Sequence, residues 1–298
     1  ENACKDTIFD FEIDEDFCFS SRGHIIFHIN RHSQQKVVSL RTHILYSRME
    51  KFRDKIVWIT GSSSGIGEAT AYRLAEEKAT LILTALEEDV LQEVRQKCLG
   101  KGAPDVAILP YDLSNLQDLP ALVETAWQQF GRIDIMYNNA GISQRTNTID
   151  TEMNMIHKIM DIDYFAPVII TKALLPKMLA NGGGQFVTTT SIAGCFGFPL
   201  RCAYSSAKHA LYGFFETVHA EYYDQNIRVT LVCPGRVQTK ISFYALDKGG
   251  KRHGKMDAGQ ANGVTPEQAA NKIVRAIYKK KREVLVGKTE LLMAYIKR

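Results

Sequence analysis

The sequence predicts an α/β chain: a single doubly wound domain built on a parallel, seven-stranded sheet. Three observations carry this. Short β-branched runs alternate with amphipathic helical stretches from Lys55 to the C-terminus. The runs are continuously apolar, as strands covered on both faces must be. A glycine-rich turn follows the first run and opens a helix, the context in which such a turn can cradle phosphates.

Lys55–Ile59 (KIVWI) reads as the first strand and Thr80–Thr84 (TLILT) as the second. Val106–Leu109, Ile133–Tyr137, Gln185–Thr190, Ile227–Val232 and Glu283–Val286 follow. Helical candidates lie between them at 66–77, 87–99, 115–130, 152–180, 203–225 and 266–280. This inventory fits one domain of about 250 residues, spanning 49–298. Pro176 is expected to end or kink the long 152–180 helix near Leu175. Asn181–Gly184 then turns the chain into the next strand. The Gly-rich tract Lys248–Gly263 reads equally as a mobile lid, within a segment at about 239–263, or as a plain surface loop.

The 298-residue chain carries 37 basic and 33 acidic residues, a balance that excludes the clustered basic excess of a nucleic-acid binder. With 45% hydrophobic and 23% charged residues it is an ordinary globular composition. No apolar run is long enough to span a bilayer, and Leu291–Ile296, ending in Lys297-Arg298, is limited to docking or to peripheral contact with a membrane or partner. Cys4, Cys18, Cys98, Cys195, Cys202 and Cys233 lie far apart with no CxxC pair, so neither zinc nor disulfides are expected and a reducing cytoplasm is the default. Lys279–Arg282 suits a helix C-terminus.

Residues 1–48 differ in composition. The first sixteen carry seven acids and one Lys; 17–48 carry five Arg or Lys, no acid, and His24, His28, His32 and His43. A helix would place the first three histidines on one face. The strand-like run His24–Ile29 scatters that face, so no metal site is expected anywhere in the chain. Met49 reads as the natural first residue, with 1–48 a disordered or non-native extension.

The glycine turn is Thr60-Gly61-Ser62-Ser63-Ser64-Gly65-Ile66-Gly67. Glycine lets the backbone approach a pyrophosphate, and the helix N-terminus supplies unpaired N–H groups and positive dipole potential. Further along, Tyr204 and Lys208 are spaced to share one helix face, and Ser191 ends the fifth strand, on the sheet edge where ligands bind.

In these motifs the chain resembles the short-chain dehydrogenase/reductase family, whose fold is of the Rossmann type, from about Lys55 to the C-terminus. The turn spacing matches TGxxxGxG. Asp112-Leu113 resembles the family's adenine-contacting acid, and Asn138-Asn139-Ala140-Gly141 its NNAG motif. Pro234-Gly235, Val237 and Thr239 resemble the PGxVxT segment at the nicotinamide carboxamide. The C-terminal half is similar to the dehydrogenase/reductase "member seven" subgroup, through Asp163–Pro167, Thr171–Pro176, Ala203–His209 and Gly254–Asp257.

The resemblance implies an NAD(P)-dependent oxidoreductase that interconverts a carbonyl and a secondary alcohol. A free phenol is roughly 4 kcal/mol from serving as a base at pH 7, and a nearby ammonium narrows that gap. Tyr204 is then the general acid/base, Lys208 its electrostatic partner and ribose ligand, and Ser191 the hydrogen-bond partner of the substrate oxygen. The fourth catalytic position, usually Asn, holds Asp163 here. At the ribose 2′-position stand Ala85, Leu86 and Ser64, neither the Asp of NAD-preferring members nor the Arg of NADP-preferring ones. The absent acid favours NADP over NAD. Phe196, Phe198, Phe243 and Tyr244 suggest either an apolar wall for a hydrophobic carbonyl compound or core. A homodimer or homotetramer is implied through the helices at 152–180 and 203–225. The competing reading is a non-catalytic dinucleotide-binding sensor or scaffold on the same fold.

Overall fold

The computed structural model describes Cys18–Phe19, Ile25–Ile26 and residues 51–296. The chain divides into two units, Glu1–Arg48 and Met49–Arg298. In the first, Cys18–Phe19 pairs antiparallel with Ile25–Ile26. The four histidines lie outside the described residues.

In the second unit the strands are β1 Ile56–Thr60, β2 Thr80–Thr84, β3 Val106–Ile108, β4 Ile135–Asn138, β5 Gly184–Thr189, β6 Ile227–Pro234 and β7 Glu283–Val286. They form one parallel sheet in the order β3-β2-β1-β4-β5-β6-β7. The order reverses between β1 and β4, the crevice where open α/β sheets bind ligands.

Period-two alternation along β1 explains both packed faces. Val57 and Ile59 join a core with Leu74 of α1 (Gly65–Glu76) and Val94 of α2 (Glu88–Lys101). Trp58 points the other way, into a core with Val123 of α3 (Leu119–Phe130). Its indole N–H reaches Thr84 Oγ1 at 2.9 Å, which satisfies the one polar atom of a fully buried ring. Each such side chain contributes roughly 1.5–3 kcal/mol by burial.

The 152–180 stretch is three segments. α4 (Met153–Met160) runs into a π-helical turn, Asp161–Phe165, and then α5 (Ala166–Ala180). Of the two outcomes expected at Pro176, an end is not found: α5 continues past it to Ala180, where Gly183 closes the end with an N–H bond to the Met178 carbonyl at 2.8 Å. α6 (Cys202–Tyr222) carries the predicted Tyr and Lys.

The segment leading into the Gly-rich tract is tied to the chain after β4, and the tract itself is mostly without regular secondary structure. Arg145 N donates to the Leu246 carbonyl and Leu246 N to the Ser143 carbonyl, each at 2.8 Å. Ser242 and Ala245 are fully buried, and a short helix α7 (Ala258–Ala261) follows. α8 (Pro266–Tyr278) starts on a capping box, with Thr265 Oγ1 accepting from Gln268 N and Gln268 Oε1 from Thr265 N. The chain closes on α9 (Leu292–Ile296). Among the described residues no helix is long and apolar enough to cross a membrane, and no cluster of side chains suits a metal ion.

Candidate active site

The glycine turn leaves β1 with Gly61 at φ +65° and Gly65 at φ +60°, left-handed conformations that favour glycine. At Gly67 the requirement is close approach: a Cβ there would overlap the Gly61 carbonyl and the Asn139 amide. The same Asn139 amide donates to the Thr60 and Gly61 carbonyls, both at 3.1 Å. Thr60 Oγ1 in return accepts from Asn139 N at 3.1 Å and Ala140 N at 3.3 Å. Turn and β4 end are thereby locked together.

Beside this turn lies a cleft of about 330 Å³. Gly61, Ser63, Ser64, Gly65 and Ile66 form one wall. Ala85, Leu86, Asp112 and Leu113 form a second, and Asn139, Ala140, Gly141 and Thr239 a third. Glu87 joins the second wall, and Leu86 is largely exposed. Thr60, Ser62 and Gly67 stand behind the surface. Ser62 is fully buried and its hydroxyl donates to the Thr84 carbonyl at 3.2 Å, so it ties the turn to β2 and does not face the cleft. Pro234 and Val237 are buried as well; Val237 bridges to Val264. Gly235 opens on a neighbouring cavity.

That second cavity, about 370 Å³, holds Ser191 and Tyr204 in its wall and shares Ser143 and Ile241 with the cleft. Ser191 Oγ accepts from Ala193 N at 3.1 Å, which fixes the rotamer and leaves its own O–H to donate. Gln144, fully buried, caps α6 from outside: its Oε1 accepts from Ala203 N at 2.9 Å and Tyr204 N at 3.3 Å. Nothing in the sequence marks Gln144 for this work, because its partner lies some sixty residues away. Lys208 Nζ sits 5.7 Å from the Tyr204 ring centroid and donates to the Thr189 carbonyl at 3.0 Å.

The π-helical turn brings Asp163 beneath this pair. Its side chain is fully buried, and Oδ1 accepts from Ile142 N at 2.8 Å. Oδ2 lies 3.2 Å from Lys208 Nζ, an ion contact off the hydrogen-bonding angle. Burial pushes the Asp163 carboxyl above the usual carboxylate range, although the Lys208 charge and the Ile142 N–H pull it back. A Cβ on Gly141 would stand 2.8 Å from Oδ2, so the carboxylate fills the space beneath the NNAG turn.

The four aromatics part company. Phe198 lines the second cavity and Tyr244 the cleft, whereas Phe196 packs with Ile192 and Cys233, and Phe243 is exposed. His209 turns to the Ser205 carbonyl of its own helix at 2.7 Å. Met293 of α9 reaches the second cavity while Ala294 is buried, so the terminal helix is docked on the domain.

The short chain dehydrogenase family matches residues 55–248. The Anopheles gambiae "Dehydrogenase/reductase SDR family protein 7-like" is 39% identical over 246 residues, covering 81% of this chain and 77% of its own. The Xenopus laevis "Dehydrogenase/reductase SDR family member 7B" is 35% identical over 275 residues, 88% of this chain and 84% of its own. Among solved structures, a Burkholderia phymatum short chain dehydrogenase/reductase in complex with NAD superposes with a TM-score of 0.73 at 22% identity, covering 82% of this chain and 93% of that one. Sheet order, turn and sequence agree: the chain belongs to the short chain dehydrogenase family and is related to its member-seven subgroup.

Proposed function

We propose that this chain, by its family an NAD(P)-dependent oxidoreductase, interconverts a carbonyl compound and its secondary alcohol, with Tyr204 moving the proton. The observation that carries the reading is the meeting of Ser191 and Tyr204 in one cavity wall, with Lys208 one helical turn behind. A dinucleotide suits the adjoining cleft, which is walled by the glycine turn, the end of β2 and the segment after β4; Gly61 and Gly67 let the turn pack closely on that last segment. When bound there it supplies or takes up the hydride; the protein contributes position and charge.

Ser191 O–H donates to the substrate oxygen and fixes its approach. Tyr204 gives its phenolic proton to that oxygen during reduction and removes it during oxidation. Lys208 stabilises the negative charge left on the phenol and is positioned to reach ribose hydroxyls. Asp163 orients Lys208 through charge and braces the NNAG turn through Ile142 N. The cleft favours NADP over NAD, because Ala85 puts no carboxylate at the end of β2. The chain assembles as a homodimer or homotetramer through the 152–180 stretch (α4 and α5) and α6. Titrating the protein with NADPH and NADH and then presenting a carbonyl panel tests the whole reading. Oxidation of either dinucleotide that depends on both a carbonyl and Tyr204 supports it, and binding without turnover removes it.

A further inference from the structure

One end of the second cavity is charged. Arg145 follows β4, Arg201 stands at the N-terminal boundary of α6, and Asp257 comes from the segment before α7. Arg145 Nη2 donates to Asp257 Oδ2 at 2.6 Å, and Arg201 Nη2 donates to the same oxygen at 2.9 Å. Arg145 is further held by Ser143 Oγ at 3.0 Å and the Gln144 carbonyl at 2.6 Å, and its side chain is only 6% exposed. Arg201 also donates Nη1 to the Pro199 carbonyl at 3.0 Å. These two bonds leave most of the Arg201 donors for a ligand in the cavity it lines.

Two guanidiniums share one carboxylate, so this end of the cavity keeps one unmatched positive charge. Arg236 and Glu290, also in the wall, offset each other. Burial and the neighbouring Arg145 pull the Arg201 guanidinium below its usual range, with Asp257 opposing. An added anion would relieve that strain. A monoanion matches the excess, whereas a dianion would overshoot it.

We infer that the substrate of this cavity carries a carboxylate near its carbonyl, and that Arg201 selects it. The inference rests on the carbonyl-reducing reading above. Arg201 caps the helix that carries Tyr204, three residues before it, and both line this one cavity, so a substrate held there can reach the two side chains together. Asp257 already shows that an Arg201 N–H meets a carboxylate oxygen in this place. Ile192, Phe198 and Met293 line the rest of the cavity and suit an apolar body.

The test compares 4-oxo-4-phenylbutanoate with its methyl ester. Calorimetry measures the binding of each to the full chain saturated with oxidised dinucleotide, and turnover is followed separately with reduced dinucleotide. The parent should bind the acid roughly tenfold to a hundredfold more tightly than the ester. Arg201→Leu should erase that difference by weakening the acid alone, and Arg201→Lys should keep part of it. Unchanged dinucleotide affinity shows that both variants are folded. Equal binding of acid and ester, binding of neither, or equal weakening of both in Arg201→Leu would overturn the inference. Binding and turnover separate the two readings. Acid selection that Arg201→Leu abolishes, with no turnover of this acid or of any carbonyl in the panel, would leave carboxylate recognition by Arg201 standing and remove the carbonyl reading, while equal binding and equal reduction of acid and ester would do the reverse.

Discussion

Replacing Asp163 with Asn keeps the side-chain shape and removes one charge from a buried ion pair. At 3.2 Å and an effective dielectric of about 20, the attraction between Asp163 and Lys208 is roughly 5 kcal/mol. Taking the carboxylate out of water costs several kcal/mol, roughly the same size. The upward push on its carboxyl shows that burial outweighs the attraction. Asn retains an oxygen for the Ile142 N–H, so the net change at pH 7 should be within about 2 kcal/mol. Asp163→Ala removes the same charge and also leaves the buried Ile142 N–H without its acceptor, which costs roughly 1–3 kcal/mol more than Asn. The sign with pH follows from linkage. A carboxyl raised in the folded state binds more protons there than in the unfolded chain, so the parent loses stability as pH rises from about 4 through the raised value. The Asn variant lacks this slope and should gain on the parent across the same window. Urea unfolding of parent, Asn and Ala proteins between pH 4 and 7 reads both effects. An Asn variant as unstable as Ala at pH 7, and closest to the parent at pH 4, would mean that the ion pair is net stabilising and the desolvation argument wrong.

Gly67→Ala forces a methyl group against the Gly61 carbonyl and Asn139. Dinucleotide affinity should fall at least about tenfold, alongside roughly 1–3 kcal/mol of stability; unchanged affinity would show that the turn yields. Ala85→Asp places a carboxylate at the end of β2, and the ratio of NADPH to NADH affinity should fall by about tenfold or more through charge repulsion. A ratio that does not move would put the 2′-position elsewhere. Asp257→Asn takes the charge out of the Arg145 and Arg201 bonds, so amide hydrogen exchange across 239–263 should quicken at neutral pH. Exchange at the parent rate would mean that the remaining bonds, those at Leu246 among them, hold the segment without these ion pairs. A chain starting at Met49 should keep the thermal midpoint and turnover of the full chain; a fall in either would give 1–48 a role in the folded protein.

Much of the sheet was legible because each strand is both apolar and β-branched, and because the glycine turn sits where only a βα junction makes chemical sense. Tyr204, Lys208 and Ser191 were legible for a related reason: helical spacing and a strand end are local properties. What stayed hidden depends on contacts between distant segments. The π-helical turn at Asp161–Phe165 has no periodic signature of its own, yet it sets where the Asp163 carboxylate points. Ser62 looks like its neighbours Ser63 and Ser64 in the sequence; only the pairing of β1 with β2 turns it inward to the Thr84 carbonyl. The glycines of Lys248–Gly263 left a lid and a plain surface loop equally open, and they do not reveal what holds the segment. The segment is fastened by Leu246 to the chain after β4 and by Asp257 to two arginines, and neither partner is near in sequence. Pro176 does not stop its helix for a simpler cause: burial of Leu174 and Met178 on either side offsets the one lost N–H bond.

The phenolic oxygen of Tyr204 is the atom on which the proposed chemistry turns, and Tyr204→Phe removes it alone. With a reducible carbonyl compound in hand, carbonyl-dependent oxidation of the reduced dinucleotide should fall by about 10²–10⁴-fold in the variant while dinucleotide binding persists. Turnover within about threefold of the parent would contradict the account and leave the fold as a dinucleotide-binding scaffold.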